Sequence, residues 1–89
     1  MKLKFAKEAL NDLKRLRQFI ADKNPPAAIK YSQKLITAIH KLESHPELGK
    51  VLEEEPSVRE FIAGKYVVRY MLKNEFVYIL KIWHGREYR

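Results

Sequence analysis

The residues with the most chemical potential form the run Trp83-His84-Gly85-Arg86-Glu87-Tyr88-Arg89. Metal-free cleavage of RNA needs a base for the 2′-hydroxyl, an acid for the leaving oxygen and cations for the charged phosphorane. Histidine is the side chain type that ordinarily titrates nearest neutrality, so a His at position 84 suits either proton-transfer role. Arg86 supplies a planar cation, as do Arg59 and Arg69 from strand-like segments upstream. Tyr88 can donate a proton or stack on a base. Each of these residues also has a structural use. His84 has the strand parity of Leu80 and Ile82, which suits a half-buried, hydrogen-bonded histidine. Arg69 can pair with a glutamate across a sheet. Trp83 can serve packing alone, and Tyr88 and Arg89, the last two residues, can fray.

Other chemistries have weaker support. The chain has no Cys, so it holds no disulfide framework, thiolate zinc site or cysteine nucleophile. His40 and His45 are five apart, which is not the spacing that aligns two ligands on one helix face. No glycine-rich phosphate loop is present. No metal and no cofactor are expected.

The elements that must position these residues are legible in the hydrophobic periodicity. Lys2-Leu3-Lys4-Phe5 alternates like a short strand. Ala6, Ala9, Leu10, Leu13, Leu16 and Ile20 then fall on one helical stripe, predicting a helix over about residues 6–22. Asn24-Pro25-Pro26 ends it and opens a second helix, with Asn24 or Pro25 as its cap. In that helix Ala28, Ile29, Tyr31, Leu35, Ile36, Ala38, Ile39 and Leu42 cover almost half the wheel. So few residues between the helices predict an antiparallel hairpin.

Glu43 to Ser57 reads as a loop in which Leu48, Val51 and Leu52 are candidates to pin it to the core. Val58–Ile62, Tyr66–Leu72 and Phe76–His84 are rich in β-branched and aromatic residues, and they are joined by turns at Gly64 and Asn74. They predict a three-stranded antiparallel meander. Strict alternation places Tyr78, Leu80, Ile82 and His84 on one face of the last strand, and Val77, Ile79, Lys81 and Trp83 on the other. Arg69 and Lys81 then mark a partly solvated face. The expected fold is a single α+β domain over residues 1–89, ordered β-α-α-β-β-β.

Charge is unevenly placed. The 89 residues hold 18 Lys+Arg and 11 Asp+Glu, a net charge of +7. Residues 1–41 and 59–89 are basic, whereas residues 42–58 are acidic. The first basic block is mostly Lys on helices and reads as a solvated face. The second is richer in Arg and reads as the better candidate for a functional surface. The N-terminal run has no apolar h-region, and no apolar run approaches a membrane span, so a cytoplasmic protein is expected.

The order of motifs resembles the ParE branch of the RelE/ParE toxin superfamily, from bacterial type II toxin–antitoxin modules. The resemblance runs through Ala9 and Leu13, Pro26-Ala27-Ala28, Leu42-x-x-x-Pro46-x-x-Gly49 and Val58-Arg59-Glu60-Phe61. It continues through Tyr66-Val67-Val68-Arg69-Tyr70 and Ile79-Leu80-Lys81-Ile82-Trp83-His84-Gly85-Arg86. It implies the same β-α-α-β-β-β fold. RelE-like members resemble ribonucleases that cut mRNA in the ribosomal A site, and they commonly carry an Arg that opens an Arg-x-x-Tyr run. Here that run would end at Tyr70, and the matching position is Val67. ParE-like members are similar to poisons of DNA gyrase, which trap it with cleaved DNA.

The resemblance therefore implies a gyrase-binding toxin, more a binding protein than an enzyme, neutralised by a cognate antitoxin with an acidic, partly disordered segment. Two alternatives are a ribosome-dependent endoribonuclease using Arg59, Arg69, His84, Arg86 and Tyr88, and a non-toxic relic that only binds its antitoxin. Candidate target contacts are Arg69, Lys81, Trp83, His84, Arg86 and Arg89. Candidate antitoxin contacts are Leu13, Leu16, Ile29, Ile36 and Arg59. With no helix-turn-helix signal, operator DNA is expected to be bound only through the antitoxin.

Overall fold

The computed structural model describes residues 1–86, apart from the side chain of Lys23. A strand at Lys2–Phe5 (β1) leads into helices at Lys7–Lys23 (α1) and Pro25–Ser44 (α2). Four strands follow, at Lys50–Val51 (β2), Val58–Ala63 (β3), Tyr66–Lys73 (β4) and Phe76–His84 (β5). They form one five-stranded sheet in the order β1-β5-β4-β3-β2. β1 runs parallel to β5, and every other pairing is antiparallel. The α+β order expected from periodicity holds. The meander is extended on one side by β1 and on the other by β2, which lies inside the segment expected to be loop.

Asn24 alone separates the helices. Its N–H donates to the Ile20 carbonyl at 2.8 Å and closes α1. Its side-chain oxygen accepts the Ala27 N–H at 3.2 Å and caps α2. Pro25 and Pro26 occupy the first turn, where a missing N–H leaves no bond unmade. The meander turns at Gly64, φ +62°, and at Asn74 and Glu75, φ 50° and 67°. Positive φ at two successive turn residues matches the right-handed twist of the flanking strands.

The core lies between the helix layer and one face of the sheet. Ala9 and Leu16 of α1 and Leu35, Ile39 and Leu42 of α2 meet Val68, Tyr70, Val77, Ile79 and Ile82. The wheel arcs were wider than the buried faces. Leu10, at the edge of the α1 stripe, is 54% exposed, and Ile29 of α2 is 66% exposed.

The strict alternation expected for β5 fails at Leu80. Arg69 pairs with Lys81 but Tyr70 pairs with Ile79, so Leu80 is the extra residue of a bulge. Val77, Ile79, Ile82 and His84 therefore face the helices, whereas Tyr78, Lys81 and Trp83 face away. The bulge sits where β5 changes partner. Pairing to β1 ends at Phe5 opposite Ile79, and the Ala6 N–H makes a last bond to the Ile79 carbonyl at 2.9 Å. Beyond it α1 satisfies the strand edge. Asp12 Oδ2 accepts the Ile82 N–H at 2.9 Å, and Arg15 donates to the Ile82 carbonyl at 3.3 Å. Two side chains thus replace one residue of a neighbouring strand, which a buried edge requires. Asp12 is the one buried charged residue among those described, and Arg15 also pairs with it at 3.2 Å.

Candidate functional site

Arg59 and Tyr70 hold the acidic loop. Arg59 Nη1 donates to the Gly49 carbonyl at 2.9 Å and to the Glu47 carbonyl at 3.4 Å. The Tyr70 hydroxyl donates to the Pro46 carbonyl at 2.6 Å and accepts the Gly49 N–H at 2.8 Å. Burial pushes the Tyr70 phenol above its ordinary value of 10.0, with the Gly49 N–H and the Arg59 charge opposing. A Cβ on Gly49 would lie 2.6 Å from the Tyr70 ring, so this position needs glycine for space. The Pro46-x-x-Gly49 spacing is thereby explained as two backbone groups presented to one phenol. The loop was expected to be pinned by Leu48, Val51 and Leu52. Leu48 and Val51 are instead exposed, Leu52 is half-buried, and the closest holds are polar, reinforced by β2 pairing with β3.

The sheet face turned away from the helices carries Arg69, Lys81 and Trp83. Arg69 Nε donates to Glu60 Oε2 at 2.9 Å, and its guanidinium lies 5.1 Å from the Trp83 ring centroid. Lys81 Nζ pairs with Glu8 at 3.1 Å. The cross-sheet use of Arg69 weighed for the sequence is the one observed.

His84 lies on the opposite face. Its ring meets Tyr66 edge-on at 5.5 Å, and its Nδ1 accepts the Arg86 N–H at 3.0 Å. The Gly85 N–H donates to the Lys65 carbonyl at 2.8 Å, so the end of β5 is tied to the β3–β4 turn. His84 and Tyr66 form one wall of a groove of about 530 Å³ between that turn and the tip of the helical hairpin. Leu16, Phe19 and Ile20 of α1 and Tyr31, Lys34, Leu35 and Ala38 of α2 line the other wall. Phe19 and Tyr31 are 55% and 46% exposed and line the same groove, so two aromatic rings share one solvent-facing apolar surface. Lys34 and Lys65 supply charge, and among the described residues no carboxylate lines the groove.

Arg59 and Arg69 are not brought to His84, whereas Arg86 lies beside it through its backbone N–H. Arg69 and His84 occupy opposite faces of the sheet. Arg59 sits opposite Tyr70, whereas His84 lies in register with Tyr66, four residues and about 13 Å along the strands. Arg86 is exposed, and Tyr88 and Arg89 lie outside the described residues. Of the proposed antitoxin contacts, Leu16 lines the groove, Leu13 packs against the core, Ile36 is half-buried and Ile29 is exposed. Phe19, Tyr66, Lys34 and Lys65 were not singled out from the sequence. Phe19 carried a usable signal, because it is a large apolar residue roughly 60° beyond the edge of the α1 stripe.

Among the described residues, no group of three or more His, Asp or Glu side chains is placed to hold a metal ion. No helix among them is long and apolar enough to cross a membrane.

Comparison with known proteins adds a family to this geometry. Residues 3–88 match the family described as ParE toxin of type II toxin-antitoxin system, parDE. Toxin RelE1 of Caulobacter vibrioides is 33% identical over 85 residues, spanning 91% of this chain and 89% of that protein. Toxin RelE2 of the same organism is 34% identical over 78 residues, or 86% of each. A solved structure described as the chromosomal ParDE TA system from P. aeruginosa superposes with a TM-score of 0.83. It shares 22% identity and covers 94% of this chain and 95% of that one, so the likeness is one of fold.

Proposed function

The chain belongs to the ParE toxin family of type II toxin–antitoxin systems, and from that premise we propose that it acts by binding and poisoning DNA gyrase. The observation that carries the reading is the dispersal of the groups a ribonuclease would need. The candidate base or acid, His84, faces the groove, whereas Arg69 is held by Glu60 on the other face and Arg59 by the Gly49 and Glu47 carbonyls. Val67 stands where an Arg would open the ribonuclease-type run. A purified-gyrase supercoiling assay tests this. Loss of supercoiling with accumulation of cleaved DNA is the expected result, and undiminished supercoiling at micromolar protein refutes it.

Neutralisation falls to an acidic antitoxin segment seated in the groove beside His84. Phe19, Tyr31 and Leu16 offer apolar anchors, while Lys34 and Lys65 offer attraction for carboxylates. A segment that folds as it binds covers such a groove with few residues. Affinity should fall with salt yet persist, because apolar burial is not screened. Phe19→Ala and Tyr31→Ala should each weaken capture of the cognate antitoxin at least tenfold.

A second reading, ribosome-dependent mRNA cleavage, is favoured by the names of the two Caulobacter relatives. Cuts in translated mRNA that vanish on His84→Ala or Arg86→Ala would establish it.

A further inference from the structure

The outer face of α2 is a stripe of one charge sign. Lys30, Lys34 and Lys41 fall within roughly 40° of one another about the helix axis and span about 16 Å along it. Gln33 and Thr37 fill the gaps, and together with Ala38 these residues line a shallow groove. Residues 23–42 contain no Asp or Glu. None of the three lysines has an ion-pair partner among the described residues, unlike Arg15, Arg69 and Lys81.

We propose that this stripe is a docking surface for the phosphate backbone of duplex DNA. Ammonium, amide and hydroxyl groups are the side-chain types that contact phosphates. The lining holds no large apolar side chain, and the anchors of the neighbouring groove adjoin only Lys34 and Ala38, so an acidic peptide would find no anchor along Lys30 and Lys41. It also holds no aromatic ring, so single strands would have no stacking platform. A rigid, straight row of cations fits a backbone with regularly spaced charge. The choice of DNA over an RNA duplex rests on the gyrase reading, in which cleaved DNA is part of the trapped complex. The stripe reads no bases, so it leaves operator recognition to the antitoxin.

The test is anisotropy with the full-length toxin and labelled 20-base-pair duplexes of two unrelated sequences, without gyrase, over a salt series. Equal affinity for both sequences is expected, with log K falling against log salt at a slope of about −2.7 for three phosphate contacts. Lys30→Gln, Lys34→Gln and Lys41→Gln combined should lower affinity at least tenfold at low salt and flatten the slope. A control with Lys2→Gln, Lys7→Gln and Lys50→Gln removes the same charge elsewhere and should change affinity less than threefold. Matching thermal melts establish that both variants fold.

Equal losses in both variants, or no duplex binding at low salt, overturn the proposal. So does displacement of the duplex by poly-glutamate at matched charge through the same three lysines, which points to an acidic protein. A matched RNA duplex held more than tenfold tighter also overturns it. The gyrase reading fails separately. Duplex binding through the stripe with supercoiling untouched sinks that reading alone. Poisoning that is unaffected by the triple substitution, with no duplex binding, sinks this one alone.

Discussion

On the open face of the sheet, Arg69 lies between Glu60 and Trp83, and Lys81 reaches Glu8. On the outer face of α2, Lys30, Lys34 and Lys41 have no ion-pair partner among the described residues. Composition ranks these regions the other way, because arginine-rich strands look functional and lysine-rich helices look merely solvated. The structure shows which of these charges find partners within the fold. Neighbouring strands bring Arg69 into register with Glu60, two acceptors wait at Gly49 and Glu47 for Arg59, and the start of α1 supplies Glu8. On α2 the residues one turn either way are neutral or also basic, so the positive field projects outward.

If the sheet-side charges maintain the fold and the α2 lysines do not, substitutions should separate into a graded series. Asp12→Ala should have the largest effect. It strips the Ile82 N–H of its acceptor and leaves Arg15 without its carboxylate, a loss of about 2–3 kcal/mol in urea unfolding. A small effect there would mean that the β5 edge finds water and needs no side-chain replacement.

Tyr70→Phe comes next, at about 1–2 kcal/mol, because it orphans the Pro46 carbonyl and the Gly49 N–H. The same residue carries a pH signature. Its raised folded pKa means that the native state holds the phenol proton more tightly than the unfolded chain. That share of stability is fully present below pH 10 and is lost as pH climbs through the raised value. The difference between native protein and Tyr70→Phe should therefore narrow in alkaline unfolding curves, and a constant gap would refute the assignment.

A double-mutant cycle on Glu60→Gln and Arg69→Gln should give a coupling of about 0.2–1 kcal/mol, since both side chains are partly solvated. The smallest effect belongs to the triple α2 substitution, Lys30→Gln with Lys34→Gln and Lys41→Gln. Gln and Lys have nearly equal helix propensity, so the midpoint should move by no more than about 0.5 kcal/mol. A large destabilisation would show that these lysines serve the fold after all, which would erase the contrast.

Most of the fold was legible because its periods are clean. α1 and α2 repeat near 3.6, β3 and β4 repeat near 2, and Asn24-Pro25-Pro26 leaves little choice about where the hairpin turns. What escaped was set by contacts between distant segments. β2 is two residues long and too short to alternate. The bulge at Leu80 is invisible because apolar residues continue on both sides of it, so only the handover from β1 to α1 reveals it. Asp12 reads as one more polar residue on a helix until Ile82 comes beside it. The groove has no motif of its own, because it exists where the hairpin tip overhangs the β3–β4 turn. Its strongest local hint was an aromatic ring, Phe19, standing off the helix stripe.

The parallel pairing of β1 with β5 bears on how the toxin is made. Lys2 lies in register with Phe76, so β1 has no strand partner until β5 is made. β5 also supplies Val77, Ile79 and Ile82, all fully buried. A chain that terminates before Phe76 therefore lacks the strand that joins β1 to β4 and three of the buried core side chains. The sheet can close only after β5 has been synthesised, so β1 and the helices that follow it wait for a partner made late.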